Sequence, residues 1–430
     1  MRKEGKKIYD FCSSLFGINR SITGDGVRQT LGLIQKQIQS NLDITEIESK
    51  TKCFDWHIPL EWNVKDAFIE DLNGNRIIDF KKNNVHLMGY SIPVDKKISL
   101  TELKNHLYSI SDMPNAIPYI TSYYKKYWGF CLTHHQKLSI IKKYKKNDIF
   151  KVVINSNFKK NGKLTYGEVI LPGKSKQELF FSTYICHPSM ANNELSGPII
   201  SMSLINYFKK KKLKKTLRFI FIPETIGSIT YIKKKLNYLK ENVVGGYNLS
   251  CLGDNRAYSF MPSKYENSLS DIAAEEAFKK LNLRYKKYSF LERGSDERQY
   301  NSPGVDLPIA SIFRSMYGKY PEYHTSLDNF KLVNMKGLSG GFKVLKTAIN
   351  ILINLTIPKV KILCEPQMGK RNLYPHLSLK KTNHKIRNYM NFIQYADGKN
   401  DVRKISKIIK LKVNETFKIY KLLKKKNIVI

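Results

Sequence analysis

The chain has 430 residues, of which 42% are hydrophobic and 12% aromatic, so it can form two or three globular domains and is not a disordered chain. Lys and Arg number 74 against 36 Asp and Glu, which gives a formal net charge of +38. Such a field attracts phosphates, anionic lipids or acidic glycans. The excess is spread along the chain and is mostly Lys rather than Arg, so we interpret it as solvated surface.

Cysteine spacing and hydropathy bear on the compartment. Six cysteines lie far apart without a Cys-x-x-Cys pair, which is typical of reduced, buried thiols. No apolar run approaches the roughly 18 residues that a membrane-spanning helix needs. The basic N-terminal stretch spaces its apolar residues as one face of a helix and lacks a cleavage site for a signal peptide. We therefore expect a cytoplasmic protein.

The N-terminal half predicts helices followed by a β-rich unit. Residues 1 to about 50 indicate two helices joined by a turn at 19–25. From 52 to 128 the sequence has short β-like runs with turn signals at Asn73-Gly74 and Asn83-Asn84. We expect this unit to lie within an α/β domain formed by residues 1–51 and 129–365.

Strands and helices alternate from about residue 145 to 360. Strands are predicted at 149–154, 168–171, 180–185, 217–222 and 243–249, and helices at 199–208, 230–239, 270–281 and 334–355. This order predicts a mostly parallel sheet with helices on both faces. After Pro366, the tail at 377–430 predicts three helices and a short apolar end, which fits a winged-helix module at 366–430.

The stretch from Phe180 to Ile200 organises the chemistry. A buried strand delivers His187 and an Asn-rich turn, and Pro198 stands at a plausible first helical position. Ligands bind outside the carboxyl ends of strands in open α/β sheets, so this placement indicates a site. A capped turn with a stray histidine is the alternative.

Three further stretches carry polar groups that could meet His187. One strand ends at Glu224 beside a proline, which indicates either a general base or an acid at a helix N-terminus. Another strand leads into the turn at 248–254. The third stretch runs through 292–304 to 320–328, where His324 lies in a polar loop.

Together, the motifs CHPSMANNELSG, PETIGS, NLSCLGD, RGSDERQYNSPG and YHTSLDN resemble, in order and spacing, the co-catalytic zinc aminopeptidase superfamily. Within it, the chain looks like a bacterial aminopeptidase-like branch with an inserted β-rich domain and a C-terminal winged helix. The resemblance covers essentially the whole chain, including DWHIPLEW and IPYITSYY. It implies a phosphorylase/hydrolase-like α/β fold and a metallopeptidase-type hydrolase.

The resemblance implies a zinc site that departs from the superfamily pattern. Those enzymes hold two zinc ions with two histidines and three carboxylates, and another glutamate is the general base. His187 and His324 match the histidines, and Glu224 matches the base. Three positions that would carry acids hold neutral residues: Asn193, Thr225 and Ser250. Because amides and hydroxyls are poor zinc ligands, we expect one zinc ion or none.

A single zinc ion would need a carboxylate from elsewhere, and the candidates are Asp254 and Glu194. Asp254 lies four residues beyond Ser250, about 13 Å further on in an unbroken strand. It reaches the site only if the chain turns at Gly253. Glu194 adjoins Asn193 and has one more methylene of reach.

The expected reaction is metal-assisted amide hydrolysis in which Glu224 takes a proton from water. Substrate contacts are predicted for the polar side chains around the site: Asn193, Arg293, Asp296, Arg298 and Tyr300. The two arginines indicate an anionic group on the substrate, or else structural ion pairs with neighbouring acids. A small peptide, an aminoacyl compound or an acylated amino sugar of surface-polysaccharide metabolism would fit as substrate.

Two other functions stay open. The missing carboxylates would suit an inactive ligand-binding protein that has lost its metal. The positive charge and the tail helices would suit a nucleic-acid-binding regulator, although their apolar spacing is what any packed module needs and nucleic acid is not the expected partner. A homo-oligomer is compatible with the sequence.

Overall fold

The computed structural model describes residues 2–38, 40–374 and 383–430. The strands, in chain order, are β1 (Asp43–Glu48), β2 (Lys52–Cys53), β3 (Trp56–His57), β4 (Glu61–Glu70), β5 (Arg76–Asp79), β6 (Val94–Ser99), β7 (Leu107–Tyr108), β8 (Phe130–Cys131), β9 (Ile149–Lys159), β10 (Lys163–Leu171), β11 (Ser175–Tyr184), β12 (Lys215–Ile222), β13 (Val243–Leu249), β14 (Ser259–Met261), β15 (Lys286–Lys287) and β16 (Ile309–Phe313). The helices are α1 (Arg2–Ser14), α2 (Asp25–Ile38), α3 (Leu100–Leu103), α4 (His134–Lys143), α5 (Ser196–Phe208), α6 (Ile226–Asn242), α7 (Leu269–Lys280), α8 (Glu297–Tyr300), α9 (Met335–Asn354), α10 (Asn383–Tyr395), α11 (Val402–Ile408) and α12 (Val413–Lys425).

The main sheet has the strand order β1-β10-β12-β11-β13-β16-β14-β15. Its centre, from β12 through β11 and β13 to β16, is parallel. On one side β10 runs antiparallel to β12, and on the other β14 runs antiparallel to β16. The prediction of a mostly parallel sheet is therefore correct only for the centre, because β10 and β14 enter the sheet from the opposite direction rather than after a helical crossover.

Helices cover both faces of this sheet, as the alternation along β11 requires. Leu179 and Phe181 point into a core formed with α2, α5, α7 and α9. Phe180 points to the other face, into a core that includes residues of α6. Each core is continuous across several strands, so the central strands are fixed from both sides and their carboxyl ends are held in place.

The β-rich part forms a second sheet with the order β5-β4-β9-β6. The predicted strand at 149–154 forms within β9, but it pairs with β4 and β6 rather than with the main sheet. Alternate residues of β9 are buried: Phe150, Val152 and Ile154. Two-residue alternation predicts such a half-buried strand but carries no information on which sheet receives it.

The C-terminal helices α10, α11 and α12 share a small core that contains Phe392, Ile405 and Leu423. Bridges from Lys359 to Asp397 and from Val360 to Val429 join the segment after α9 to this module. The predicted beginning of the tail at Leu377 lies outside the described residues. Among the helices that are described, none has the length and apolar character needed to cross a membrane.

Candidate metal and active site

His187 and Glu224 follow neighbouring parallel strands at the centre of the main sheet. β11 ends at Tyr184 and β12 ends at Ile222, so both side chains emerge at the same edge. His187 Nε2 lies 3.7 Å from Glu224 Oε2. The chain thus places an imidazole and a carboxylate side by side where α/β sheets bind ligands.

The His187 ring is buried and has a defined tautomer. Its Nδ1 lies 2.8 Å from Glu194 Oε2. Because a carboxylate only accepts hydrogen bonds, the proton belongs on Nδ1 and the lone pair on Nε2. Burial, with a further contribution from the positive charge of Arg20, lowers the pKa of His187 to about 3. His187 is therefore a neutral imidazole whose lone pair faces Glu224.

His324 comes to the same place from far along the chain. Its ring centroid lies 5.3 Å from that of His187 and 4.0 Å from the stacked ring of Tyr323. Its Nε2 is buried and has no hydrogen-bond partner among the described residues. Burial, and then the neighbouring His187, lowers the pKa of His324 to about 3. A second neutral imidazole with an unused nitrogen therefore faces the site.

A backbone contact with the β-rich part fixes His324. The residue has a φ of 55°, an uncommon conformation for a residue other than glycine. The backbone N–H of Tyr119 donates a hydrogen bond to the His324 carbonyl at 2.9 Å. The Tyr119 ring also lies 5.3 Å from His187 and 5.2 Å from His324. Sequence analysis missed Tyr119, because an aromatic cluster such as IPYITSYY equally predicts ordinary core packing.

Glu224 is held from both ends. Its Oε1 accepts a hydrogen bond from the Ser295 hydroxyl at 2.6 Å, and its backbone N–H donates to Cys186 Sγ at 3.2 Å. Burial, reinforced by the negative charge of Asp296, raises the pKa of Glu224 to about 8. The arrangement leaves Oε2 directed at His187 with no hydrogen bond from a protein donor within the described chain.

Asp296 supports the loop that carries Glu224. The next residue, Thr225, has a φ of 62°, which is strained for a β-branched side chain. Asp296 Oδ1 accepts hydrogen bonds from the Thr225 N–H at 2.7 Å and the Ser228 hydroxyl at 2.8 Å, at the beginning of α6. Burial raises the pKa of Asp296 to about 7. Its Oδ1 therefore holds a strained turn, and the predicted substrate contact stays a prediction for Oδ2, which is buried without a partner.

Asn193 lies in a single π-helical turn, Ala191–Leu195, between His187 and α5 in the chain. Its Oδ1 accepts a 2.6 Å hydrogen bond from the Tyr184 hydroxyl. The carboxylate of Asp328 accepts the backbone N–H groups of Asn192 at 2.6 Å and Asn193 at 2.9 Å. The turn is thus fixed by a buried acid that sequence analysis did not single out, although it lies in the YHTSLDN motif.

Asp254 does not join the candidate ligands. The chain does turn after β13, but both carboxylate oxygens are used there. Oδ1 accepts from Ser315 Oγ and the Arg256 N–H, and Oδ2 accepts from the Ser315 N–H. The one close group of candidate ligand atoms in the described chain contains Cys186, His187 and Glu194 and lacks Asp254. We therefore assign Asp254 to holding this loop.

Two of the predicted substrate contacts lie away from the paired imidazoles. Tyr300 is fully buried, with its hydroxyl 2.7 Å from Ser182 and its ring against Phe180. This corrects the predicted substrate role, because the side chain is part of the core. Arg293 is exposed, and its guanidinium lies over the Phe290 ring, 5.1 Å from the centroid. Nothing in that position tests its predicted contact with an anionic group.

Arg298 is better placed for substrate. It is exposed, its Nε donates to the Ser295 carbonyl at 3.0 Å, and its Nη2 donates to Thr225 Oγ1 at 3.1 Å. Both acceptors are neutral, so its charge is not neutralised by the groups that hold it. Ser295 and Thr225 also flank Glu224, which puts the guanidinium beside the candidate base.

The chemistry of the donors suits one zinc ion, although His324 and Glu224 lie outside the one close group of candidate ligand atoms in the described residues, which is Cys186, His187 and Glu194. His187 Nε2 and His324 Nε2 are lone pairs on neutral imidazoles, and Glu224 Oε2 is the adjacent carboxylate oxygen. Two imidazoles are the histidine part of known catalytic zinc sets, and Glu224 Oε2, 3.7 Å from His187 Nε2, is assigned to the base rather than to a ligand. A histidine ligand commonly donates its other N–H to a carboxylate, as His187 does to Glu194. In the group with Cys186 and Glu194, by contrast, His187 would have to bind through the Nδ1 that Glu194 already occupies.

The fold is that of an aminopeptidase-like protein. The solved structure of a zinc aminopeptidase from Bacillus subtilis shares the fold, with a TM-score of 0.59 at 12% identity over 81% of this chain and 95% of that one. The family described as Domain of unknown function (DUF4910) matches residues 9–354, and a winged helix-turn-helix family matches 356–430. The chain belongs to the first family and ends in a winged helix.

Two similar proteins come from Clostridium acetobutylicum. One is named, by inference, as a polysaccharide biosynthesis protein with an aminopeptidase-like domain. It is 42% identical over 371 residues, which are 86% of this chain and 83% of the relative. The other, a crystal structure described by inference as a peptidase, is 36% identical with a TM-score of 0.79 and covers 100% of this chain and 96% of that one. The predicted resemblance is confirmed.

Proposed function

We propose that the protein is a zinc-dependent amide hydrolase that uses one metal ion. The observation that carries this proposal is the convergence of two neutral imidazoles, His187 and His324, whose ring centroids lie 5.3 Å apart, with Glu224 beside them. A core histidine normally satisfies its nitrogens, whereas His324 Nε2 is buried and has no partner. An unpaired buried polar atom costs free energy unless a ligand satisfies it.

The surroundings argue against a second metal ion. Asn193 Oδ1 is already bonded to the Tyr184 hydroxyl. Thr225 Oγ1 accepts a hydrogen bond from Arg298, so a positive charge stands where the superfamily pattern expects an acidic ligand. A second dication there would be repelled by the guanidinium, and the amide and hydroxyl that replace the expected acids are poor ligands for it.

Each residue then has a defined task. His187 and His324 would hold the zinc ion, which would supply a water of lowered pKa and polarise the substrate carbonyl. Glu224 Oε2 takes the proton of the attacking water and returns it to the leaving amine, while the Ser295 hydroxyl holds Oε1 in place. The rings of Tyr119 and Tyr323 pack against the histidines and limit the access of water to them.

The substrate is proposed to carry an anionic group. Arg298 presents an exposed guanidinium that is fixed by neutral acceptors beside Glu224, and a planar guanidinium suits carboxylate or phosphate. The Clostridium relative is named for polysaccharide biosynthesis, which supports an aminoacylated or acylated amino sugar as the substrate class.

The test begins with zinc analysis of tag-free protein that has not met a chelator, together with a crystallographic anomalous map at the zinc edge. One zinc ion at His187 and His324 is expected. Glu224→Gln should lower kcat by about 10²–10⁴-fold on anionic acyl amino sugars, and Arg298→Met should raise KM for anionic substrates more than for neutral ones. Absence of zinc would overturn the proposal in favour of an inactive ligand-binding protein. Full activity of Glu224→Gln would overturn the assignment of Glu224 as the general base.

A further inference from the structure

We propose that Arg20 and Glu194 form a buried positioning pair that holds His187 with its proton on Nδ1 and its Nε2 lone pair directed at the metal position. This inference rests on the proposed function. It also changes the role of Glu194, which sequence analysis treated as a candidate ligand. Arg20 was not identified from the sequence at all.

Arg20 reaches the site from the segment after α1. Its Nε donates to the His187 carbonyl at 3.1 Å and lies 3.5 Å from Glu194 Oε1. Its Nη1 donates to the Leu15 carbonyl at 2.8 Å. Both charged side chains have a relative exposure of 0%. One guanidinium therefore contacts the main chain of the histidine and the carboxylate that binds the histidine ring.

The contacts of Glu194 suit positioning better than ligation. Oε2 is used by His187 Nδ1 at 2.8 Å, and Oε1 faces Arg20. A metal ion bound to either oxygen would lie next to a guanidinium at a fully buried position, where like charges repel strongly. The guanidinium at 3.5 Å attracts the negative charge of Glu194, and a carboxylate 2.8 Å from Nδ1 fixes the imidazole proton there.

The backbone around Glu194 is shaped for this contact. Glu194 lies in the π-helical turn Ala191–Leu195 immediately before α5. Single π-helical turns are frequent at functional sites because they redirect side chains. Asp328 holds this turn through the N–H groups of Asn192 and Asn193. The turn brings a side chain seven positions after His187 back onto the His187 ring.

The first test needs no metal and no substrate. In metal-free protein labelled with ¹⁵N histidine, long-range ¹H–¹⁵N spectra should show His187 protonated at Nδ1 only. Glu194→Met removes the acceptor, so the Nε2-protonated tautomer should appear. Glu194→Gln keeps an acceptor oxygen and should retain most of the Nδ1 tautomer. Unchanged spectra in Glu194→Met, or an Nε2 proton in the original protein, would overturn the inference even if every variant were inactive.

The second test measures zinc affinity by calorimetry. Loss of a partner that orients a ligand typically lowers metal affinity 10–100-fold, so Glu194→Met should bind zinc 10–100-fold more weakly, with partial rescue in Glu194→Gln. A direct ligand would instead lose zinc binding in both variants, which would overturn the positioning role. Glu178→Met is the matched control, because it breaks another buried arginine pair without touching His187. If the original protein binds no zinc, the proposed function fails while the tautomer test still decides this inference.

Discussion

Two buried arginines in this protein have opposite electrostatic surroundings. Arg218, on β12, donates to both oxygens of Glu178 at 2.7 and 3.0 Å and to Glu168 at 2.6 Å. Arg20 has one carboxylate, Glu194, at 3.5 Å, and its Nη2 is buried without a partner. The charge of Arg218 is thus met by hydrogen bonds to two carboxylates, whereas Arg20 has a single, more distant carboxylate.

The pKa shifts follow this difference. Burial alone lowers the pKa of Arg218, but Glu178, Tyr231 and Glu168 reverse the direction and raise it. Burial lowers the pKa of Arg20, and Glu194 only partly offsets that effect. Burial acts in the opposite direction on Glu194 and raises its pKa, while the charge of Arg20 opposes that shift. Arg218 therefore belongs to a structural ion cluster, whereas the Arg20 pair keeps hydrogen-bonding capacity for His187.

The largest expected effect is on stability at Arg218. Arg218→Met would leave Glu168 and Glu178 buried with fewer partners, and breaking a buried pair typically costs about 3–5 kcal/mol. Arg20→Met should cost less, about 1–3 kcal/mol, because it strands one carboxylate that can take up a proton. Urea unfolding of the two variants measures both. An Arg20→Met loss as large as that of Arg218→Met would remove the distinction.

The second prediction concerns a double variant in which the stability of the protein and its affinity for zinc should change differently. In the double variant Arg20→Met/Glu194→Met both charges are gone, and replacing a buried pair by apolar side chains is often neutral or stabilising. Zinc affinity should still fall 10–100-fold, because the His187 ring has lost its orienting partner. Thermal unfolding and calorimetric zinc titration on the same sample check this. A double variant with normal zinc affinity would contradict the positioning role.

A third arginine, Arg28, gives a pH-dependent comparison. It binds Glu61, whose pKa burial tends to raise, while hydrogen bonds from Arg28, the Lys163 N–H, Lys159 and Asn63 lower it to about 2. A depressed carboxyl pKa contributes stability above the unfolded value of about 4.5, and this contribution is lost as the pH falls towards 2.

We expect Glu61→Gln to cost about 1–2 kcal/mol at pH 7, a range reduced for the partial exposure of Arg28. The difference from the original protein should shrink between pH 4.5 and 2. Urea midpoints measured across this range check the sign. A difference that grows on acidification would show that Glu61 is not ionised in the folded state.

Sequence patterns predicted the positions of the strands better than they predicted which strands pair with each other. β13 forms at the predicted residues, β12 contains the predicted strand at 217–222, and β11 contains all of the predicted 180–185 except Ile185, because apolar runs and turn residues are local signals. The mixed sheet and the pairing of β9 depend on contacts between distant segments, which local periodicity does not encode.

The same limit explains the site. His187, Glu224 and His324 were found because each stands in a recognisable motif, and the structure brings them together. Arg20 was missed because it lies 167 positions from the histidine whose carbonyl it binds, and an arginine in a polar turn normally predicts solvent exposure. Glu194 was noticed, but only the observed contact with His187 Nδ1 distinguishes positioning from ligation.

The smallest expected effect concerns Arg403, a partly exposed arginine on α11. Its Nη1 lies 3.1 Å from Glu276 on α7, and the two side chains are 38% and 41% exposed. Such pairs contribute about 0.2–1 kcal/mol and weaken with salt. Glu276→Gln should therefore lower stability by less than about 1 kcal/mol, and high salt should abolish the difference. A larger loss of stability that does not depend on salt would mean that burial and the number of carboxylate partners do not determine how much each arginine pair stabilises this protein. The contrast between Arg218 and Arg20 would then need another explanation.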